Sequence, residues 1–363
     1  MSNVKTTTTN FKKALKTVTD TLTATEQKMY DVGIEIEYTG EEGTITMQHP
    51  TNEMFVMANF KGEKHESRYH VSFYIGDLVD KLKPFRRKED LYLDTGLDSF
   101  VLSSDDGIVF ETAIEGSGYD VHTFDNTYKC NRKKLIEVLR IGQAVNRTTF
   151  SESTTSLHMV AVANKLHIRA TNLSLLSMSE LFIKEGRVEK PFEVTLSSKE
   201  ATKVRNVLER GTGKNVYFAK HKESFMLMTD STKVVFKDED LTHVDASKII
   251  KALKWEREVY ELDTEISSKV VRKQYERLRT AEDEKNEVNI TLYQNIYLKK
   301  KDESKELMFL TEQQAVHVNT RSMNSVLNRL PKKMQVAFND KAIMLNHSDD
   351  DYKTMLLIPV AKM

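Results

Sequence analysis

Gly211-Thr212-Gly213-Lys214-Asn215 is the stretch of this chain that most resembles a phosphate-binding loop, in which glycine amides and a lysine cradle a nucleotide. The pattern is incomplete. Leu208 occupies the position of the first glycine, and Asn215 stands where a Ser or Thr hydroxyl would hold magnesium. A loop joining a helix to the next strand is the simpler reading; a nucleotide-dependent enzyme would lose nucleotide binding on Lys214→Ala. The ten histidines are scattered, none paired with another at helical spacing beside a carboxylate as zinc would require. Asp349-Asp350-Asp351 lacks the spaced ligands and glycine of a calcium loop and reads as a solvated turn. Cys130 is the only cysteine, which excludes an intramolecular disulfide and a cysteine-rich metal site and fits a reducing cytoplasmic setting. No catalytic residue, cofactor or metal is expected.

The chemistry these residues can do is electrostatic. Lys plus Arg and Asp plus Glu both number 54, so net charge does not mark a strongly basic nucleic-acid binder, yet the charges are segregated by element. Six segments read as amphipathic helices: Asn10 to Leu22, Ile75 to Leu82, Arg132 to Gln143, Ser198 to Glu209, Ser267 to Leu278 and Arg321 to Leu330. The first carries Lys12, Lys13 and Lys16, and the second Lys81, with Lys83 just after it. Arg132, Lys133 and Lys134 open the third, and Lys199, Lys203 and Arg205 lie on the fourth. Arg272, Lys273 and Arg277 belong to the fifth, Arg321 and Arg329 to the sixth. Acids gather instead on strands and loops, as in Glu41-Glu42, Asp105-Asp106 and Asp238-Glu239-Asp240. Cationic helix faces around a common axis would attract phosphates by screened, sequence-independent contacts, so duplex DNA is the expected partner. Nothing has the spacing of a zinc finger, a leucine zipper or a helix-turn-helix, so base readout is not expected.

The elements that must position these cations recur. The helices are spaced by about 60 residues, each preceded by a short extended run and most followed by runs rich in Val, Ile, Phe, Tyr and Thr. Phe11, Leu15, Val18 and Leu22 form one face of the first; Pro84 stops the second and Pro331 the sixth. Ser198 is the expected N-cap of the fourth, and Gly211 its end. With 363 residues, only 13 Gly and 5 Pro, and no low-complexity linker, the reading is an α+β chain of three similar domains near 1–125, 126–244 and 245–363. No apolar run is long enough for a membrane span, and the polar, Thr-rich start is unlike a signal sequence, so a cytoplasmic protein without membrane partners is expected.

Three segments carry a resemblance to a known family. The run Lys165-Leu166-His167-Ile168-Arg169-Ala170-Thr171-Asn172, reached from Lys133-Lys134-Leu135-Ile136 and Leu157-His158-Met159-Val160, is similar to a strand ending in Ala-Thr-Asp in the beta sliding clamps of bacterial DNA polymerase III and their phage relatives. Asn172 replaces the aspartate, and Leu173-Ser174-Leu175-Leu176 stands for the family's Gly-His-Arg-Leu. Val244-Asp245-Ala246-Ser247-Lys248-Ile249-Ile250 resembles the family's Pro-Asp-Tyr-Arg-Arg-Val, without the proline. The ending Ile358-Pro359-Val360 resembles Met-Pro-Met or Met-Pro-Val.

The resemblance implies three clamp domains, each two helix-plus-sheet units, with helices lining a ring channel, sheets outside, and two subunits joined head to tail around DNA. It further implies a groove that captures short linear peptides of the polymerase and the clamp loader. Carried over, that groove comprises Leu157, Thr171, Leu173, Leu176, Val244, Lys248, Ile249, Leu356, Ile358, Pro359 and Val360. The function so implied is a DNA polymerase processivity factor, cellular, phage or plasmid in origin. The alternative is a non-ring DNA-binding replication accessory protein that uses the basic helices as an open patch.

Overall fold

The computed structural model describes residues 4–23, 25–26, 32–50, 54–85, 88–95, 98–114, 124, 126–146, 156–171, 175–238, 246–252, 260–261, 266–269, 287–290, 316–319, 326, 328–338 and 342–359. In chain order these form β1 (Val4–Thr7), α1 (Thr8–Thr19), β2 (Gly33–Gln48), β3 (Phe55–Tyr74), α2 (Leu78–Lys81), β4 (Asp90–Thr95), β5 (Ser99–Ser104) and β6 (Gly107–Ala113). Next come β7 (Tyr128–Asn131), α3 (Arg132–Asn146), β8 (Leu157–Ala163), β9 (Lys165–Thr171), β10 (Leu176–Phe182), β11 (Val188–Leu196), α4 (Ser198–Arg210), β12 (Asn215–His221), β13 (Ser224–Met228) and β14 (Thr232–Lys237). The remainder are α5 (Ala246–Ala252), β15 (Tyr260–Glu261), β16 (Ile266–Ser267), β17 (Glu287–Ile290), β18 (Val316–Asn319), β19 (Lys333–Phe338), β20 (Ala342–Ser348) and β21 (Tyr352–Pro359).

The chain divides into two compact units, one of Met1–Arg132 with Lys203–Asp238, the other of Lys133–Thr202 with Glu239–Met363. The first holds a ten-stranded sheet ordered β6-β5-β4-β1-β3-β14-β13-β12-β7, with β2 paired to β3. The second holds a nine-stranded sheet ordered β11-β8-β9-β10-β21-β20-β19-β15, with β16 paired to β19, and the two-stranded sheet β17-β18. Every pairing among the described strands is antiparallel, so the fold is α+β as the sequence predicts. One pairing rule occurs three times among the described strands. The strand that opens a segment pairs with the first strand of a closing three-strand meander: β1 with β4, β7 with β12, β16 with β19. Chain-distant strands also join, β14 to β3 in the first unit and β10 to β21 in the second.

Local chemistry sets the helices. Phe11, Ala14, Leu15 and Val18 bury one stripe of α1, and the Thr7 hydroxyl caps it by accepting from Asn10 N–H at 3.3 Å. The cap of α4 is Ser197, one residue before the expected Ser198. Glu200 N–H donates to Ser197 Oγ at 3.2 Å while Ser197 N–H donates to Glu200 Oε2 at 2.9 Å, a reciprocal capping box. Gly211 does end α4, but its φ is not positive; a Cβ there would stand 2.4 Å from Thr229 Oγ1, so close packing selects the glycine. The second helix is one turn, Leu78–Lys81, rather than Ile75 to Leu82, and α3 runs three residues past Gln143 to Asn146. The expected fifth and sixth helices lie mostly outside the described residues. No helix among the described residues is long and apolar enough to cross a membrane.

Candidate functional site

Within the second unit, strand register builds a surface on the sheet face turned away from α3. Side chains two apart on a strand share a face, so Leu176, Met178 and Glu180 on β10 lie with Leu357, Met355 and Lys353 on β21, each directly opposite its partner. Across β21, the same rows continue on β20 as Met344, Asn346 and Ser348, and across β10 on β9 as Thr171, Arg169 and His167. One row is apolar, the next mixed, the third charged. The apolar end is a cluster of Leu176, Leu357, Met344 and Ala246, against which Met178, Met355, Ile249 and Ile250 pack partly exposed. Ala246, Ile249 and Ile250 come from α5, whose i, i+3, i+4 spacing sets them on one side.

At the charged end Lys165 Nζ lies 2.7 Å from Glu180 Oε2, and His167 Nδ1 is 3.6 Å from Glu180 Oε1. Burial alone would raise the Glu180 carboxyl; the Lys165 hydrogen bond and the charges of Lys165, His167 and Lys353 outweigh it and hold the group below its ordinary value. His167 is pushed down by burial first, then by Arg169 and Lys165, against the pull of Glu180. A cavity of about 470 Å³ opens over this region, floored by Met178, Met344 and Met355 and edged by Lys165, Glu180 and Lys353.

The structure brings together some of the expected groove residues. Leu176 and Ile249 meet in the apolar cluster, Thr171 stands opposite Leu176 in register, and Lys248 is exposed on α5 beside Ile249. Ile358 and Pro359 continue β21 opposite Ile343 and Ala342. Leu356 and Leu157 do not reach this face. Leu356 is buried and pairs with Ser177 and Leu345 on the side toward α3, and Leu157 is buried under α3, its Cδ2 2.8 Å from where a Gly142 Cβ would stand. Leu357, Met344, Met178 and Met355 take part instead. Leu173, Val244 and Val360 lie outside the described residues. The six helices read from the sequence do not include α5, although its Ala246, Ile249, Ile250 spacing carries the signal.

The basic side chains separate into two groups. Arg132 donates to the carbonyls of Gly213, Leu208 and Gly211 at 2.8, 2.8 and 2.7 Å, satisfying the C-terminal end of α4, where a cation is also favoured by the helix dipole. Lys12 Nζ donates to Phe85 O at 3.1 Å and Lys83 O at 3.4 Å, closing the turn after α2. Lys134 lies 3.0 Å from Asp349, 3.5 Å from Glu137 and 4.6 Å above the Tyr352 ring. Its own burial opposes the charge, but the hydrogen bond to Asp349 and the pull of Glu137 and Asp349 raise its pKa overall. Lys203 donates to His49 Nε2 at 2.6 Å, and Arg205 Nε is 3.1 Å from Glu209. Lys81 and Lys83 are exposed with Asp77 and Asp80 at 3.3 and 2.5 Å. Lys13, Lys16, Lys133, Lys199 and Arg329 are exposed. Arg272, Lys273, Arg277 and Arg321 lie outside the described residues. Gly211 to Asn215 joins α4 to β12, a loop as expected and not the turn that opens a helix.

No protein-family model matches the chain, and no curated protein matches it in sequence. Solved structures do match in shape. The DNA polymerase III beta subunit of Thermotoga maritima is 15% identical with a TM-score of 0.69, all of both chains being covered. The Helicobacter pylori beta clamp bound to a DNA ligase peptide is 12% identical at 0.72, and the Pseudomonas aeruginosa DNA polymerase III subunit beta 10% identical at 0.70; each match covers 99% of this chain and 100% of that one. With its repeated strand pairing and its sheets carrying helices, the chain has the fold of the DNA polymerase III beta clamps over its full length.

Proposed function

We propose that this chain is a DNA polymerase sliding clamp, in which two copies close head to tail around duplex DNA and tether a polymerase by capturing its peptide. The observation that carries the reading is the beta clamp fold over the whole chain, with its threefold pairing rule. On this reading the domains are 1–125, 126–244 and 245–363. DNA is held by uniform phosphate contacts, which resist dissociation but allow sliding. Lys13, Lys16, Lys133 and Lys199 are the foremost contacts, being exposed on helices. Lys81, Lys83, Arg272, Lys273, Arg277, Arg321 and Arg329 join them as flanking charges, whereas Arg132, Lys12, Lys134, Lys203 and Arg205 hold neighbouring helices and turns in place.

A ring needs a surface for its second copy. Strand β6 is an edge of the ten-stranded sheet, and the exposed large hydrophobics among the described residues, Ile108, Tyr74 and Val79 at 68, 40 and 39% exposure, lie on β6, β3 and α2. An unpaired edge beside apolar side chains supports closure there. The partner peptide would enter over Leu176, Ile249, Met344 and Leu357, with Thr171, Lys248, Ile358 and Pro359 at its margins; the mode is a few apolar anchors in a groove.

The test is solution mass by light scattering over a dilution series, followed by loading onto nicked circular DNA and then linearisation. A species of twice 41.8 kDa, retained on circles and lost after cutting, is expected. A monomer that binds both DNA forms alike overturns the ring and favours the open accessory protein.

A further inference from the structure

We infer that the outer face of the β9-β10-β21-β20 sheet selects partner peptides by an acidic residue placed beyond their apolar anchor. The inference rests on the peptide-groove reading and adds the chemistry of the position beyond the anchor. The apolar cluster and the 470 Å³ cavity are one continuous surface, because Met178, Met344 and Met355 belong to both. Three thioethers make an adaptable floor that fits varied apolar side chains and so discriminates little among them. Discrimination must come from the far end.

There the register places Arg169 opposite Met178, and Lys353 opposite Glu180, while Lys165 is paired with Glu180 across 2.7 Å. Lys165 and Lys353 thus flank the Glu180 carboxylate and Arg169 stands one row away, so these rows carry three cations to one acid among the described residues. On the neighbouring β11, Glu193 is engaged by His158 at 3.0 Å. Arg169 supplies a second, independent sign: its Nε is buried and has no hydrogen-bond partner among the described residues. Buried donors are rarely left so, and an unsatisfied guanidinium N–H stands ready for a carboxylate oxygen. The step from the Met355 row to the Lys353 row is two strand residues, about 6.6 Å. An extended peptide crossing the rows thus presents its acid about two residues after the anchor.

The probe is a random linear-peptide display library selected on the full-length chain, with Lys353→Glu and Ile249→Asp selected in parallel. On the wild-type chain, enriched peptides carry an apolar anchor with Asp or Glu about two positions away, and on Lys353→Glu they exchange that acid for Lys or Arg. Flanks identical on the two proteins, with no acidic preference, overturn the inference while leaving the groove. Enriched peptides that bind Ile249→Asp as well as the wild type, or no apolar-anchored peptide at all, sink the groove itself and the inference with it.

Discussion

The two places where chain-distant strands meet are built alike and finished differently. In the first unit β14 joins β3, and on the face away from α4 lie Ala219, Met226 and Val235, with Phe55, Phe124 and Met228 packed over them. In the second unit β10 joins β21, and the equivalent face carries Leu176, Met344 and Leu357, with α5 packed over part of them. Each patch is partly covered by chain that links one repeat to the next. At the first, Phe124 is a bulky cover and Lys233 sits 5.8 Å from its ring, its own pKa lowered by burial. At the second, α5 offers only Ala246, Ile249 and Ile250, and the surface runs on into an open cavity. The same kind of strand junction carries a bulky aromatic cover in one unit and, in the other, a shallow cover that gives onto a cavity.

The largest expected effect tests whether both junctions share a rigid base. Leu357 is fully buried at the second, and Leu357→Ala should cost ~2–5 kcal/mol in chemical denaturation. A cost under about 1 kcal/mol would mean that the cluster collapses freely and is no preformed floor. Phe124→Ala comes next, at ~1–3 kcal/mol because the ring is only half-buried, and it should expose Phe55 and Val235 to a hydrophobic dye. If dye binding does not rise, Phe124 is no cover and the contrast between the junctions fails. Ile249→Asp should change stability by less than about 1 kcal/mol yet weaken peptide capture at least about tenfold, since Ile249 is partly exposed and central. Equal losses of stability and binding would make it ordinary core.

Periodicity encodes burial on one face, which is a local signal, and its reach sets how much of the molecule is legible in the sequence. Apolar spacing locates α1, α3 and α4 to within a few residues, and runs of Val, Ile, Phe and Tyr locate the strands. Which strands join across a hundred or more residues is not local: the resemblance names Leu356, whereas the register of β10 with β21 sets Leu357, not Leu356, beside Leu176, and a one-residue shift on a strand reverses the face. The same limit hides the work of the basic residues. Spacing puts Arg132 on a helix, but only the fold brings the α4 carbonyls of Leu208 and Gly211 within its reach. The α4 cap is off by one because two serines adjoin, and Glu200, three residues after Ser197, decides between them.

The smallest expected effect separates the two junctions by pH. His49, 2% exposed, accepts from Lys203 on α4 at 2.6 Å, with Glu26 3.5 Å away in the turn after α1. Burial first, then the Lys203 charge, push the imidazole below its ordinary 6.5 against Glu26 and the Thr21 backbone. The folded chain therefore keeps His49 neutral while the unfolded chain takes up a proton below about 6.5, so this stabilisation is present above that pH and lost as pH falls toward the folded value. One such group gives a slope of at most about 1.4 kcal/mol per pH unit. In the second unit, burial would raise Asp349, but Lys134 and the Asp351 and Tyr352 amides hold it below 3.8, so that contribution survives until the pH drops through the carboxylate range. Urea unfolding at about pH 7.5 and about pH 5.5 should thus show a larger loss for the wild type than for His49→Gln, which cannot titrate, whereas Lys134→Met should lose as much as the wild type. Parallel losses in the wild type and His49→Gln would mean that His49 is not held neutral, and the first junction would owe nothing to this contact.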